Sequence, residues 1–337
     1  MAGNNGPGRF ILSLDTELAW GSFDNGGLER NRGFYQNTRQ EIRRLLDLLD
    51  RYQLRATWAF VGHLLLDRCE RTNGTTHEHV LRPKHSWYPA DWHACDPGTD
   101  IHRDPLWYGT DILEDVRGAK MQHEVACHTF SHIIVGDSAC TGEIALSQFE
   151  ECRRLHARHG LPLHSVVFPR NQIGHLDVLR RLGITAYRGR ERNWYSGYRG
   201  LPARLAHLAS RAFAVTPPTY AVSELAEDGL ANLPASMFLL PGNGLRKLIP
   251  MACRRCQAFK GLQRASERGE LFHLWLHPFN LASDPGIPKV MEDILRSASR
   301  LQEEGKLVSV TMAELAAQVL NHDESEHHRY RLAGASL

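Results

Sequence analysis

The chain has 337 residues, 42% of them hydrophobic and 23% charged, with 40 basic against 38 acidic side chains. That balance excludes a protein built to coat nucleic acid or anionic lipid, the length supports a sizeable core, and no apolar run approaches the roughly 20 residues of a membrane-spanning helix. The seven cysteines are odd in number and follow no framework spacing, and the N-terminal stretch has no basic or long apolar segment of a secretory signal, so reduced thiols in a cytoplasmic protein are expected.

In chain order, RFILSLD (9–15) is a short apolar run that predicts a buried strand. A Gly/Asn-rich loop (21–33) follows, then a helix near 38–52 with Ile42, Leu45, Leu46 and Leu49 on one face. RATWAFVG (55–62) and EVACH (124–128) predict strands, and EIALSQFEECRRLHARHG (143–160) predicts a helix closed by Gly160. HSVVFP (164–169) predicts a strand, 175–182 a helix ending before Gly183, and ITAYR (184–188) the next strand. SMFLLP (236–241), LFHLWLH (271–277) and KLVSVT (306–311) supply three more, with helices expected over 245–265, 289–304 and 312–320. Strands alternating with helices imply βα units and a mostly parallel sheet, and this many units favour an α/β barrel or distorted barrel over an open sheet. One domain is expected over 8–320, interrupted by 70–118, which is rich in His, Trp, Pro and Gly and reads as a lid or substrate-loop insertion. The polar stretch 321–337 is expected to be a flexible tail.

In a parallel barrel the chemistry gathers at the C-terminal ends of the strands. Asp15 and Glu17 stand at the end of the first strand, His128 ends another with His132 one helical turn on, Arg170 follows VVFP, and His277 follows FHLWL. A chain with 19 histidines produces His-x-x-x-His by chance, and a second pair, His273 and His277, is present. The first pair differs in following a short strand, where both imidazoles point to one side. Two neutral imidazoles and a carboxylate leave a position for water, the arrangement of a catalytic zinc or similar divalent ion, and Asp15 and Glu17 are the nearest carboxylates. A carboxylate left free beside the ion serves as general base. Arg170 is placed to keep a buried carboxylate ionised, and His277 to protonate a leaving amine. The plain alternatives are capping or loop salt bridges for the carboxylates, a solvated arginine, and a core histidine bonded to a carbonyl. The lone pair Cys253 and Cys256 reads as surface thiols on a helix, since no second ligand pair accompanies it.

In this order the pieces resemble the polysaccharide deacetylase family, carbohydrate esterase family 4, over about residues 9 to 315. The family's first motif, an Asp followed by a metal-binding Asp, is matched by Asp15-Thr16-Glu17. The second, His-Ser/Thr-x-x-His, is matched by residues 128–132, with Glu124 in the lead-in. The third, Arg-x-Pro, is matched only at Arg170, because Asn171 and Gln172 follow, and the last by Leu274 or Leu276 with His277. The resemblance implies a distorted (β/α) barrel of seven or eight strands. It implies Asp15 as base, His277 as acid and Arg170 beside them. Glu17, His128 and His132 would be ligands to a divalent ion, zinc first and Co2+, Ni2+ or Mn2+ as alternatives. Glu17 is one methylene longer than the usual Asp, and some relatives with altered first motifs hydrolyse cyclic ureides without metal.

The expected activity is metal-dependent removal of an N-acyl group, N-acetyl above all, from a sugar or sugar-containing precursor, with the oxyanion held by the ion and a backbone N–H near Arg170. Trp20, Trp92, Trp107 and Trp194 are candidates to stack on a sugar ring. Two other readings stay open: a metal-independent cyclic amidohydrolase resembling allantoinase, and a degenerate member that binds glycans without turnover. A cytoplasmic enzyme would meet a nucleotide sugar, a lipid-linked sugar or a small amide. The stretch 245–269, with Lys247, Arg254, Arg255, Lys260, Arg264 and Arg268, is a candidate membrane-surface helix, its plain alternative being an outer barrel helix with a solvated face.

Overall fold

A computed structural model describes residues 6–242 and 244–321. Strand β1 (Gly8–Thr16) is buried along nearly its whole length, as an unbroken apolar run requires when both faces are covered. Its outward residues Phe10, Leu12 and Leu14 join the main hydrophobic cluster, whereas Ile11 joins an inner cluster with Ala59, Ala126, Val167 and Ala186. Helices α1 (Gly27–Arg30) and α2 (Arg32–Tyr52) lead to β2 (Thr57–Phe60). Then come α3 (Thr110–Gly118), β3 (Glu124–Cys127), α4 (Gly142–Arg158), β4 (Ser165–Val166), α5 (Leu176–Arg181) and β5 (Ala186–Tyr187). After α6 (Gly200–Ala212) the strands β6 (Ala226–Glu227), β7 (Leu230–Asn232) and β8 (Met237–Phe238) are followed by α7 (Met251–Arg268) and β9 (Leu271–Leu276). Helices α8 (Phe279–Ser283) and α9 (Ile287–Glu303) precede β10 (Leu307–Ser309) and a helix over 312–321.

The strands form one sheet in the order β6-β7-β5-β4-β3-β2-β1-β9-β8, with β10 on the first residues of β1. All pair in parallel except the β6–β7 hairpin. This curled, mostly parallel sheet with helices outside is a distorted (β/α) barrel. That hairpin was not among the expected strands, although its turn, Asp228-Gly229, has φ of 50° and 76°, the positive pair of a type I′ turn.

Helix α2 begins six residues earlier than the leucine periodicity suggests. Tyr35 fixes that early part: its hydroxyl is 2.7 Å from Ser22 Oγ, and its ring centroid is 4.9 Å from that of Phe279. Helix α7 starts later than expected, directly after Pro250, which favours a helix start because it has no N–H to lose. The expected insertion over 70–118 contains α3, whose Ile112, Leu113 and Val116 are buried. The irregular stretch is thus 66–109, and it is firmly packed: Thr76, Trp92, His93 and Asp96 are at most 1% exposed. The Trp92 indole N–H donates to the Ser131 carbonyl at 2.7 Å, tying this wall to the loop after β3.

Three of the cations of 245–269 are engaged within the fold. Arg254 is buried and bonds the Ile249 and Arg246 carbonyls, Lys260 bonds the Ala214 carbonyl at 2.8 Å, and Arg255 pairs with Asp293. The apolar side of α7, with Ala258, Leu262 and Ala265, is in the core. No helix among the described residues is long and apolar enough to cross a membrane. The expected tail lies, from residue 322, outside the described residues.

Candidate functional site

Along β1 the inward positions grow polar toward the C-terminus: Ile11, then Ser13, then Asp15. The chain then leaves the strand through Glu17 and a tight turn over Leu18–Gly21. A Cβ on Gly21 would lie 2.0 Å from Glu17 Oε1, so glycine there makes room for the carboxylate. Leu18, Thr129 and His132 have φ of 44°, 57° and 58°. Left-handed backbone at non-glycine residues is costly and persists only where the surroundings hold it.

These turns bring five side chains at or just beyond the strand ends together. His128 Nε2 and His132 Nε2 lie 3.4 and 3.0 Å from Glu17 Oε2, and one donor atom from each of the three falls within 4.8 Å of the others. His277 Nε2 is 3.4 Å from Glu17 Oε1 and 4.0 Å from Asp15 Oδ2. Asp15, Glu17, His128 and His132 are buried, while the His277 side chain keeps 21% exposure and faces the opening. His128 Nδ1 is 2.7 Å from the Val167 carbonyl, so its N–H points there and Nε2 offers a lone pair to the site. His277 Nδ1 is held likewise by Asn280 Oδ1 at 3.2 Å.

The electrostatics favour a ligating form of Glu17 and His132. Burial by itself would raise the Glu17 carboxyl, but the charge of His277 and hydrogen bonds from His128 and His132 outweigh it and hold Glu17 well below the usual carboxylate range. Burial pushes the His132 imidazole below its ordinary value in spite of Glu17, leaving it neutral at neutral pH. Two neutral imidazoles and one carboxylate, with solvent reaching one side, suit a divalent ion with an open position.

Asp15 is organised differently. Arg188 grips it with two bonds of 2.6 and 2.7 Å. The same guanidinium donates to Ser13 Oγ and Asn171 Oδ1, each at 3.1 Å, and stacks 4.2 Å over the Trp275 ring. His273 Nε2 accepts from Ser13 Oγ at 2.9 Å, and its Nδ1 donates to the Leu233 carbonyl at 3.1 Å. Burial alone would raise the Asp15 carboxyl, but Arg188 overrides it and the pKa is lowered.

Three solved structures share this architecture. A Mycobacterium smegmatis protein assigned to the polysaccharide deacetylases superposes with a TM-score of 0.59 at 15% identity, covering 94% of this chain and 92% of its own. A Pseudomonas aeruginosa protein of the same assignment gives 0.54 at 11% identity, with 93% and 91% covered. The fold is that of the polysaccharide deacetylases. A 4-alpha-glucanotransferase from Thermococcus litoralis also gives 0.54, at 14% identity, covering 93% of this chain and 40% of that one. The deacetylase fold therefore hosts more than one chemistry, and function rests on the site. No family profile and no curated protein matches the sequence.

Within the deacetylase fold, Arg170 takes a different place from the one expected. At the Pro169–Asn171 turn its φ is 54°, and its guanidinium pairs with the buried Asp24 and lies 5.0 Å over the Trp87 ring. Asp15 is served instead by Arg188, which ends the ITAYR stretch and so obeys the strand-end rule that singled out Asp15, His128 and His277. The N–H groups of Asn171 and Gln172, near the expected oxyanion donor, are bonded to the Phe168 and Pro169 carbonyls. Trp20 and Trp107 were expected to stack on a sugar. Both are buried, with Trp20 edge-to-face against Trp107 and against Phe23, so neither offers a ring face. Trp92 is buried as well, whereas Trp194 is 60% exposed on the loop after β5.

Proposed function

We propose that this protein is a metal-dependent hydrolase that removes an N-acyl group, N-acetyl in the first instance, from a sugar or sugar-containing precursor. The carrying observation is the convergence of Glu17, His128 and His132 on one point, with Asp15 and His277 beside it. Glu17, His128 and His132 would hold the ion, which we take to be zinc. When bound, such an ion polarises an amide carbonyl and acidifies water next to it. Asp15, kept ionised by Arg188, accepts the proton of the attacking water. His277 gives a proton to the departing amine from Nε2, its Nδ1 being anchored on Asn280. Arg188 positions Asp15 through its two-pronged grip, and Ser13 and His273 hold Arg188 from below. The exposed side of His277 is where substrate enters. The likeness to deacetylase structures supports the substrate class through the fold alone. The seven cysteines are all free thiols, in keeping with a reducing compartment and hence with a nucleotide sugar or lipid-linked sugar as substrate.

The test is Asp15→Asn in the zinc-loaded protein, assayed on N-acetylated sugars and their nucleotide derivatives. Turnover falls by at least 100-fold while bound zinc is unchanged, since general-base help is worth about 10²–10⁴. Undiminished turnover removes Asp15 as the base. Activity that persists after complete removal of metal favours the metal-independent amidohydrolase chemistry.

A further inference from the structure

A second constellation lies in the packed wall rather than at the barrel end. His63 sits in the turn Gly62–Leu65 immediately after β2, and Cys69, His77 and Asp96 come from the irregular stretch that follows. His63 Nε2 and His77 Nε2 are 3.1 and 3.2 Å from Asp96 Oδ2. Cys69 Sγ is 3.6 Å from His63 Nε2 and 3.5 Å from Asp96 Oδ1. One donor atom from each of the four falls within 4.8 Å of the rest. Zinc bonds of about 2.0–2.1 Å to nitrogen and oxygen and about 2.3 Å to sulfur generate tetrahedral edges of about 3.4 Å between N and O and about 3.6 Å to sulfur. Four of the six edges, counting Cys69 Sγ to Asp96 Oδ2 at 3.6 Å, are thus close to those of a zinc tetrahedron.

The surrounding hydrogen bonds orient His63 and Cys69 toward the centre of the cluster. His63 Nδ1 is 3.0 Å from the Trp107 carbonyl, so its N–H is used there and Nε2 faces the cluster with a lone pair. The Tyr108 hydroxyl accepts from the Thr99 N–H at 2.9 Å, which frees its own proton for Cys69 Sγ, 3.2 Å away. The sulfur thus accepts from Tyr108 while its own S–H points at Asp96, the proton that a bound ion would displace. His77 Nε2 is buried, and its 3.2 Å contact with Asp96 lacks the angles of a hydrogen bond, so the atom is aimed at the cluster without a well-directed partner. One thiolate and one carboxylate balance a divalent cation, leaving the buried site neutral. A surface cleft bordered by Cys69, Thr72, Thr75, His77 and Glu78 gives an ion a path in.

We propose that His63, Cys69, His77 and Asp96 bind a structural zinc-class ion that pins the wall over 66–109 to the end of β2. Four protein donors complete the tetrahedron and leave no place for substrate, so the site is structural. It also braces the barrel-end site. The Gly62 and His63 N–H groups donate to the Thr129 and Phe130 carbonyls at 2.8 and 2.9 Å, and the Phe130 ring centroid is 5.0 Å from that of His77. Phe130 lies within the His128–His132 loop. The inference does not depend on what the barrel-end site does.

The barrel-end donors include no sulfur, which separates the two sites spectroscopically. The full chain is loaded with Co2+ in place of zinc, as wild type and as the His128→Ala/His132→Ala variant. Both are expected to show thiolate-to-cobalt charge-transfer absorption at one equivalent per chain, and Cys69→Ser is expected to lose it along with one equivalent of metal. Absence of that absorption in the wild type overturns the proposal, as does its persistence in Cys69→Ser. Should Cys69→Ser fail to fold, X-ray absorption of the zinc-loaded His128→Ala/His132→Ala chain decides: one sulfur among four scatterers supports the site, and none refutes it.

Discussion

Asp15 is only 2% exposed, and a carboxylate so placed stays ionised only against a cation. Arg188 supplies that cation through two parallel bonds, and is itself 1% exposed. Arg188→Met removes the main opposition to burial at Asp15, leaving only His128 and His277, and so raises its carboxyl and depletes the ionised base. Breaking a buried pair from one side costs about 3–5 kcal/mol, so stability and turnover should fall together. Asp15→Asn added to Arg188→Met removes the stranded charge, and should recover much of the stability without recovering turnover. Urea unfolding and kcat measured on the parent, the single and the double variant check this; an Arg188→Met protein as stable as its parent would refute the pairing. Strand-end position together with the resemblance to the deacetylase motifs picked out Glu17, His128, His132, Asp15 and His277, which meet in space because each stands within a few residues of a strand end. The partner of Asp15 was not legible. Nothing local says whether Arg170 or Arg188 crosses the barrel mouth, and the deciding feature is the left-handed backbone at Arg170.

At the scale of the element, the turn over Leu18–Gly21 carries Glu17 to the histidines. The atoms nearest to a methyl added to Gly21 all belong to the Glu17 side chain, from Oε1 back to Cγ at 2.7 Å, so it is the carboxylate rather than the backbone that must shift. Gly21→Ala should therefore keep the unfolding midpoint near that of the parent while lowering metal affinity at the barrel end by about 10–100-fold, the range seen when support of a ligand is lost. A metal titration of the Cys69→Ser background isolates that site, and unchanged affinity would mean that Glu17 is not a ligand. Element type and order were largely readable because β1, β3 and β9 are apolar runs and α4 and α9 carry strong periodicity. Boundaries failed where tertiary contact overrides local preference, as at Tyr35 in α2. The wall over 66–109 was unreadable for another reason. It is ordered by hydrogen bonds, aromatic packing and the His63, Cys69, His77, Asp96 cluster, whose spacing of 6, 8 and 19 residues follows no familiar zinc pattern.

For the whole molecule, acid sensitivity follows from histidines folded in their neutral form. His156 and His123 are pushed down to about 4, and His273 to about 3, chiefly by burial. The geometry agrees: His123 Nδ1 accepts the Ala56 N–H at 3.2 Å, a bond that protonation would abolish, and His156 Nε2 has no partner to receive an added proton. In the unfolded chain each of these groups takes up a proton near 6.5. Between about 6.5 and about 4 the unfolded state thus binds more protons than the native state, and stability falls as pH falls. The contribution is fully present above about 6.5 and is lost on descent toward the folded values, at about 1.4 kcal/mol for each unit of separation. Glu124, raised by burial, has the opposite sign and offsets part of the loss. Paired carboxylates such as Asp15 and Glu17, being lowered, add their own loss only below about 4. Urea midpoints should then decline as pH falls from about 6.5 and continue down to about 4. His156→Gln has no proton to gain, so its decline should be shallower by the share of one histidine. A midpoint that holds level to pH 4 in the parent would mean that these histidines are charged in the folded protein.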